Sequence, residues 1–171
     1  MQRILVSGIS GSGKTTIAIS IAKRLGMPRY ELDALYHGRG WVKRPEFEAD
    51  VGRFVVAPRW VCEDQYHRYI GDLLWRYADT VIWLDLPRCT VMWRVIRRSL
   101  WRVTTRHKLW NGNRETWRAM LCSPTHPVRW AWSQYHKRRH ETIERIARHP
   151  QVAIVRLASV PDVERWVRGL G

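Results

Sequence analysis

Gly8-Ile9-Ser10-Gly11-Ser12-Gly13-Lys14-Thr15 fits the pattern G-x-x-x-x-G-K-[ST] at every fixed position, and this octet restricts the fold more than any other feature of the chain. It follows the apolar run Ile4-Leu5-Val6 and precedes a segment, Thr16 to Leu25, in which Ile17, Ile21 and Leu25 recur at helical spacing. A strand, a glycine-rich turn and a helix are therefore expected in that order. Glycines allow successive amides to turn inward as an anion nest, and a helix beginning near Lys14 adds the positive end of its dipole. Lys14 is expected to bridge the β- and γ-phosphates of a bound nucleotide, with the Thr15 hydroxyl on Mg²⁺. The candidate nucleotide-binding set is Gly8, Ser10, Gly11, Ser12, Gly13, Lys14, Thr15 and Thr16.

Beyond the octet, strand-like and helix-like segments alternate. Gly26 and Pro28 end the first helix, and Arg29 to Asp33 alternates as a second strand would, with its carboxylates at the C-terminal end. Pro45 is expected to open a helix whose buried stripe is Phe47, Val51, Phe54 and Val55. Trp60 to Cys62 reads as a third strand and Tyr66 to Tyr77 as a helix. Val81 to Leu84 reads as a strand buried on both faces, ended by Pro87. A helical tract occupies most of 90–148, followed by a fifth strand, Val152 to Leu157, and a last helix, Val160 to Val167. This order argues a parallel sheet with helices on both faces. A length of 171 residues suits one domain, 1–171, with a helical basic segment at about 88–148.

Charge is concentrated rather than spread. The net charge is +15, and residues 88–148 alone hold 15 basic and 3 acidic side chains. Trp93, Trp101, Trp110, Trp117, Trp130 and Trp132 lie in the same segment, with Trp83 just upstream. On a helix through 90–103, Met92, Val95, Ile96, Leu100 and Val103 share one face, and Arg94, Arg97, Arg98 and Arg102 share the other with Trp101. Arginines near a phosphate loop can neutralise the transferring phosphoryl group, so Arg94, Arg97 and Arg98 are catalytic candidates. Arg106, Lys108, Asn111, Asn113 and Arg114 continue the tract.

Several classes are disfavoured. A guanine-reading N-K-x-D tetrapeptide is absent from the sequence, as is any helix-turn-helix or zinc-finger pattern. No run approaches the roughly 18 apolar residues of a membrane span, and the opening residues lack a signal-peptide core, so a cytoplasmic protein is expected. Cys62, Cys89 and Cys122 form no C-x-x-C pair and read as buried free thiols.

At this point the sequence resembles a family of small P-loop kinases, the DNA topology modulation (FlaR-like) proteins related to adenylate kinase. The likeness spans roughly residues 3–166. It is carried by Gly8 to Thr16, Glu31-Leu32-Asp33-Ala34-Leu35-Tyr36-His37, the run Ala78 to Arg88, and Leu109-Trp110-Asn111-Gly112-Asn113-Arg114-Glu115. The resemblance implies a nucleoside monophosphate kinase-like fold, a five-stranded parallel sheet in the order 2-3-1-4-5, and an arginine-bearing lid after strand four. It also implies ATP as donor and leaves the acceptor open. Where the family reads Asp-Gly-Asn-Tyr after strand three, this chain has Glu63-Asp64-Gln65-Tyr66, so the metal-directed carboxylate is Glu63 or Asp64.

Asp33 is expected beside the phosphate loop, because ligands of open α/β sheets bind at the strand ends. A carboxylate there can accept a hydroxyl proton or help hold Mg²⁺. The loop after it offers Tyr36, His37, Arg39, Trp41, Lys43 and Arg44, a mixture suited to a nucleotide or another anionic acceptor. Asp85 is read as a helix cap or a hinge for the lid, and Arg156 as a stacking partner for adenine. The expected activity is an ATP- and Mg²⁺-dependent phosphotransfer to a small acceptor such as a nucleoside monophosphate. The alternative is a nucleic-acid-binding regulatory NTPase, because arginines interleaved with tryptophans can track a single strand by charge and stacking.

Overall fold

The computed structural model describes residues 1–105 and 127–170. Arg106, Lys108, Asn111, Asn113, Arg114 and Cys122 lie outside them. Strands β1 (Arg3–Gly8), β2 (Arg29–Tyr30), β3 (Trp60–Glu63), β4 (Thr80–Leu84) and β5 (Ala153–Leu157) form one parallel sheet in the order β2-β3-β1-β4-β5. This is the expected order. Leu5 of the central strand stands opposite Cys62 on one side and Val81 on the other.

Side chains alternate between the two faces of a strand, and β1 divides its apolar residues accordingly. Ile4 and Val6 pack with Ile82 and Leu84 against Ile17 and Ile21 of helix α1 (Lys14–Leu25). Leu5 packs on the opposite face with Leu32, Phe47, Trp60 and Trp75. The expected stripe of helix α3 (Phe47–Val55), namely Phe47, Val51, Phe54 and Val55, is buried in that second core. Trp60 satisfies its buried indole N–H by donating to the Val55 carbonyl at 3.1 Å.

Four expectations need correction. The second strand ends at Tyr30, and Leu32–Tyr36 forms helix α2. Leu32, Leu35 and Tyr36 reach one core at i, i+3 and i+4, which is helical spacing, so Asp33 lies in a first helical turn and not at a strand end. The segment Tyr66 to Tyr77 is two short helices, α4 (His67–Ile70) and α5 (Leu73–Tyr77), separated where Gly71 takes φ 55°. Cys62 is buried, but Cys89 is exposed near the start of helix α6 (Arg88–Thr104). Leu100 is also exposed, because the buried stripe of α6 runs through Val91, Val95, Ser99 and Val103, with Met92 beside it.

Helix α7 (Pro127–Arg148) packs along α6, and helix α8 (Val160–Arg168), capped by Ser159, covers the sheet beside α1. The Tyr135 hydroxyl of α7 donates to the Leu86 carbonyl at 2.7 Å. Among the described residues, no helix is long and apolar enough to cross a membrane.

Candidate active site

The phosphate loop joins β1 to α1, and three of its glycines take left-handed or otherwise glycine-favouring backbone angles, with φ of 148° at Gly8, 88° at Gly11 and 101° at Gly13. Two are also crowded. A Cβ on Gly8 would lie 2.7 Å from Ser12 Oγ, and one on Gly11 would lie 2.2 Å from Val95 Cγ2. The second contact shows that α6 lies directly against the loop.

The first amides of α1 have no acceptor within the helix and remain available to an anion. Ser12 Oγ is buried and makes no hydrogen bond among the described residues, which leaves a hydroxyl donor inside the loop. Lys14 folds back across the loop, its Nζ donating to the Gly8 carbonyl at 2.7 Å. Burial depresses the Lys14 pKa, while the carboxylates of Glu63, Asp33 and Asp64 work in the opposite direction. Thr16, by contrast, is exposed on the first turn of α1.

Glu63 and Asp64 end up in different roles. Glu63 Oε2 accepts the Thr15 hydroxyl at 2.9 Å, and its Oε1 faces Arg29 at 3.2 Å. Burial raises the Glu63 pKa despite the nearby Lys14 and Thr15. Asp64 is saturated by protein donors: Ser7 at 2.7 Å, the Trp75 indole at 3.1 Å and His67 at 3.1 Å. Although burial opposes ionisation, the charge and hydrogen bond of His67 and the Ser7 hydroxyl hold its pKa below the ordinary value. The pair Thr15 and Glu63 is therefore the oxygen donor set suited to Mg²⁺, which favours carboxylate and hydroxyl oxygens. Asp64 has its oxygens spent inside the fold.

Of the arginines on α6, two reach the loop. Arg94 Nη1 donates to the Ser12 carbonyl at 3.1 Å, and Arg98 Nη2 to Ser10 Oγ at 3.3 Å. Arg97 is exposed and instead lines, with Trp93, Arg94, Arg98 and Trp101, a cleft of about 680 Å³ along the helix. Arg156 stands within β5. Its guanidinium donates to Asp85 Oδ2 at 2.7 Å and lies 5.1 Å from the centre of the Trp83 ring. Arg139 of α7 holds the same carboxylate through both oxygens, at 2.8 and 3.0 Å. Asp85 thus ties α7 to the sheet and, among the described residues, caps no helix; Arg139 gave no signal in the sequence beyond its charge.

On the acceptor side, Asp33 Oδ1 accepts the Tyr66 hydroxyl at 2.6 Å, and that hydroxyl also lies 3.1 Å from His37 Nε2. Burial lowers the His37 pKa and raises that of Tyr66. Tyr66 stacks on Tyr36 with centroids 4.2 Å apart, and Trp41 meets the His37 ring edge-on at 5.0 Å. Tyr66 (φ 60°) and Trp41 (φ 65°) are the two non-glycine residues with positive φ among the described residues. Each such backbone costs about 1–3 kcal/mol, and strain of this kind gathers at functional sites. The loop cations are less available than expected: Lys43 lies 2.5 Å from Glu48, and Arg44 lies 3.5 Å from Asp50.

Chains of known structure share this arrangement of sheet, loop and helices. A gluconokinase from Sinorhizobium meliloti aligns with a TM-score of 0.55 at 19% identity, over 99% of this chain and 89% of that one. The fold is that of small P-loop kinases. A shikimate kinase from Bacteroides thetaiotaomicron aligns at 0.55 and 16% identity, over 99% of this chain and 96% of its own. A shikimate kinase from Acinetobacter baumannii, in complex with shikimate, aligns at 0.52 and 14% identity, over 98% and 89% of the two chains. No protein-family model matches the chain, and no curated protein does. Within the P-loop kinase fold, the phosphate loop, Glu63 and Asp33 all stand at the C-terminal side of the parallel strands, where open sheets of this class bind ligands.

Proposed function

We propose that the protein is an ATP- and Mg²⁺-dependent phosphotransferase acting on a small acceptor, in which 1–171 works as one P-loop kinase domain. The observation that carries this reading is the convergence of Lys14, Thr15, Glu63, Arg94 and Arg98 on one glycine-strained loop. The loop amides, Gly8 to Thr16 and Lys14 in particular, hold the donor phosphates. Thr15 and Glu63 hold Mg²⁺, which supplies neutralisation of charge on the phosphate oxygens. Arg94 and Arg98 exchange their loop acceptors for the transferring group, with Arg97 beside them, and Asp33 orients the acceptor. Positioning and charge neutralisation supply most of the catalysis in such transfers. Arg156, half-exposed and paired with Asp85, is proposed as the stacking partner for adenine.

Within this proposal, the likeness carried by Gly8 to Thr16, Glu31 to His37, Ala78 to Arg88 and Leu109 to Glu115 supports kinship with the FlaR-like relatives of adenylate kinase, and a cytoplasmic location is proposed with it. A nucleoside monophosphate acceptor, as in adenylate kinase, draws its support from the α6 arginines alone. Coupled ADP release with Mg·ATP and a panel of acceptors, with Lys14→Ala as the blank, tests the proposal.

A second reading rests on the exposure of Trp93, Trp101 and Trp132 beside the arginines of α6 and α7. Such a surface suits stacking on a nucleic-acid strand, with ATP as a regulator. Binding of short single-stranded DNA that weakens steeply with salt and is unaffected by acceptors supports it.

A further inference from the structure

We infer that the phosphoryl acceptor is an unphosphorylated hydroxyl compound, received at the cluster Asp33, Tyr66 and His37, with Tyr66 as the residue that positions the Asp33 carboxylate. This deepens the kinase reading and rests on it.

The two kinds of acceptor differ in what they require of the site. A phosphate monoester has its second pKa at about 6, so at neutral pH it is already an anionic nucleophile and needs no base. A hydroxyl stays protonated at neutral pH and needs a group to take its proton as it attacks. The cluster supplies such a group. Asp33 Oδ1 is fixed by the Tyr66 hydroxyl at 2.6 Å, whereas Oδ2 takes no hydrogen bond among the described residues. The carboxylate is therefore oriented through one oxygen and open at the other.

Charge points the same way. Asp33 is the carboxylate of this side, held on the Tyr66 hydroxyl, so an incoming phosphate dianion would meet its negative charge. Two of the three cations in the acceptor loop, Lys43 and Arg44, face the acids Glu48 and Asp50. What the loop presents instead is a set of ring faces and hydrogen-bonding groups: Tyr36 stacked on Tyr66, and Trp41 edge-on to His37. Rings and neutral hydrogen-bonding groups of this kind recognise the carbon faces and hydroxyls of a polyol, sugar or nucleoside. Both positive-φ aromatic residues border this cluster, and their strain is held in place by the packing around them.

The transfer balances without a further reactant. The acceptor hydroxyl gives its proton to Asp33 Oδ2, and its oxygen forms a bond to the γ-phosphorus of ATP. The bond from that phosphorus to the β,γ-bridging oxygen breaks, ADP leaves with that oxygen, and Asp33 returns its proton to solvent.

The test uses the full chain with Mg·ATP and two matched panels: nucleosides, hexoses and polyols, and the monophosphates of the same compounds. Binding of a fluorescent ATP analogue is followed in parallel. ADP release is expected to rise with a member of the first panel and with none of the second. Tyr66→Phe keeps the stacked ring and removes the hydroxyl; it is expected to lower kcat about 10- to 100-fold, with analogue binding unchanged. Stimulation by phosphorylated compounds alone overturns the inference, as does silence from the first panel while the analogue binds. A wild-type protein that fails to bind the analogue overturns the kinase reading itself.

Discussion

The Thr15 hydroxyl donates to Glu63 Oε2 at 2.9 Å across the gap between α1 and β3, while the neighbouring Asp64 turns inward to Ser7, Trp75 and His67. Two adjacent carboxylates thereby separate into one that faces the loop and one that holds the fold. Glu63→Gln is expected to weaken the response of turnover to Mg²⁺ while leaving Tm nearly unchanged. Asp64→Ala is expected to leave buried donors unmatched, at about 1–3 kcal/mol. Magnesium titration of ADP release and thermal melts of both variants check the division.

The arginines of α6 divide by helical phase. Arg94→Ala and Arg98→Ala each remove a guanidinium that touches the phosphate loop and are expected to lower kcat by about 10²–10³-fold. Arg97→Ala, which alters only the outer cleft, is expected to have a smaller effect. Steady-state kinetics of the three variants decide it.

Gly11 tests the packing of α6 on the loop. At φ 88°, a methyl group there would meet Val95 Cγ2 at 2.2 Å and the Val91 carbonyl at 3.0 Å. Gly11→Ala is expected to cost about 1–3 kcal/mol as overpacking, a fall in Tm of roughly 3–10 °C for a chain of this size. ATP affinity falls with it, because the loop and helix move together.

Asp72 provides an acid-stability signature away from the phosphate loop. It accepts from Arg145 at 3.1 Å and from Arg148, and His149 lies 3.6 Å away. Burial works against its ionisation, yet the Arg145 hydrogen bond and the Arg148 charge hold its pKa below 3.8. The folded pKa is depressed, so the contribution to stability is complete above the unfolded value and is lost as pH falls through the folded one. Asp72→Asn is expected to lower Tm at neutral pH and to flatten the fall of Tm below about pH 4. Melting curves from pH 2 to pH 7 are the check.

The phosphate loop and the sheet were legible because each rests on local pattern: eight consecutive residues for the loop, and apolar runs alternating with helical stripes for the sheet. The acceptor cluster was not legible as a unit. Asp33 stands 33 residues from Tyr66, and His37 stands 29 from it, so only the parallel pairing of β2 with β3 brings them together. Asp33 also moved from a strand end to a helix, because the core contacts of Leu32, Leu35 and Tyr36 follow a helical repeat that overrides the alternation before them. Arg94 and Arg98 were indistinguishable from Arg97 until the approach of α6 to Gly11 fixed the helix's rotation.

The most direct test of the kinase reading is coupled ADP release from Mg·ATP by the wild-type protein and by Lys14→Ala, each with and without acceptors. Acceptor-dependent ADP release by the wild type and none by a folded Lys14→Ala protein is the result that a kinase gives. Equal turnover by the two proteins, or turnover indifferent to every acceptor beside tight and salt-sensitive DNA binding, would contradict the kinase reading.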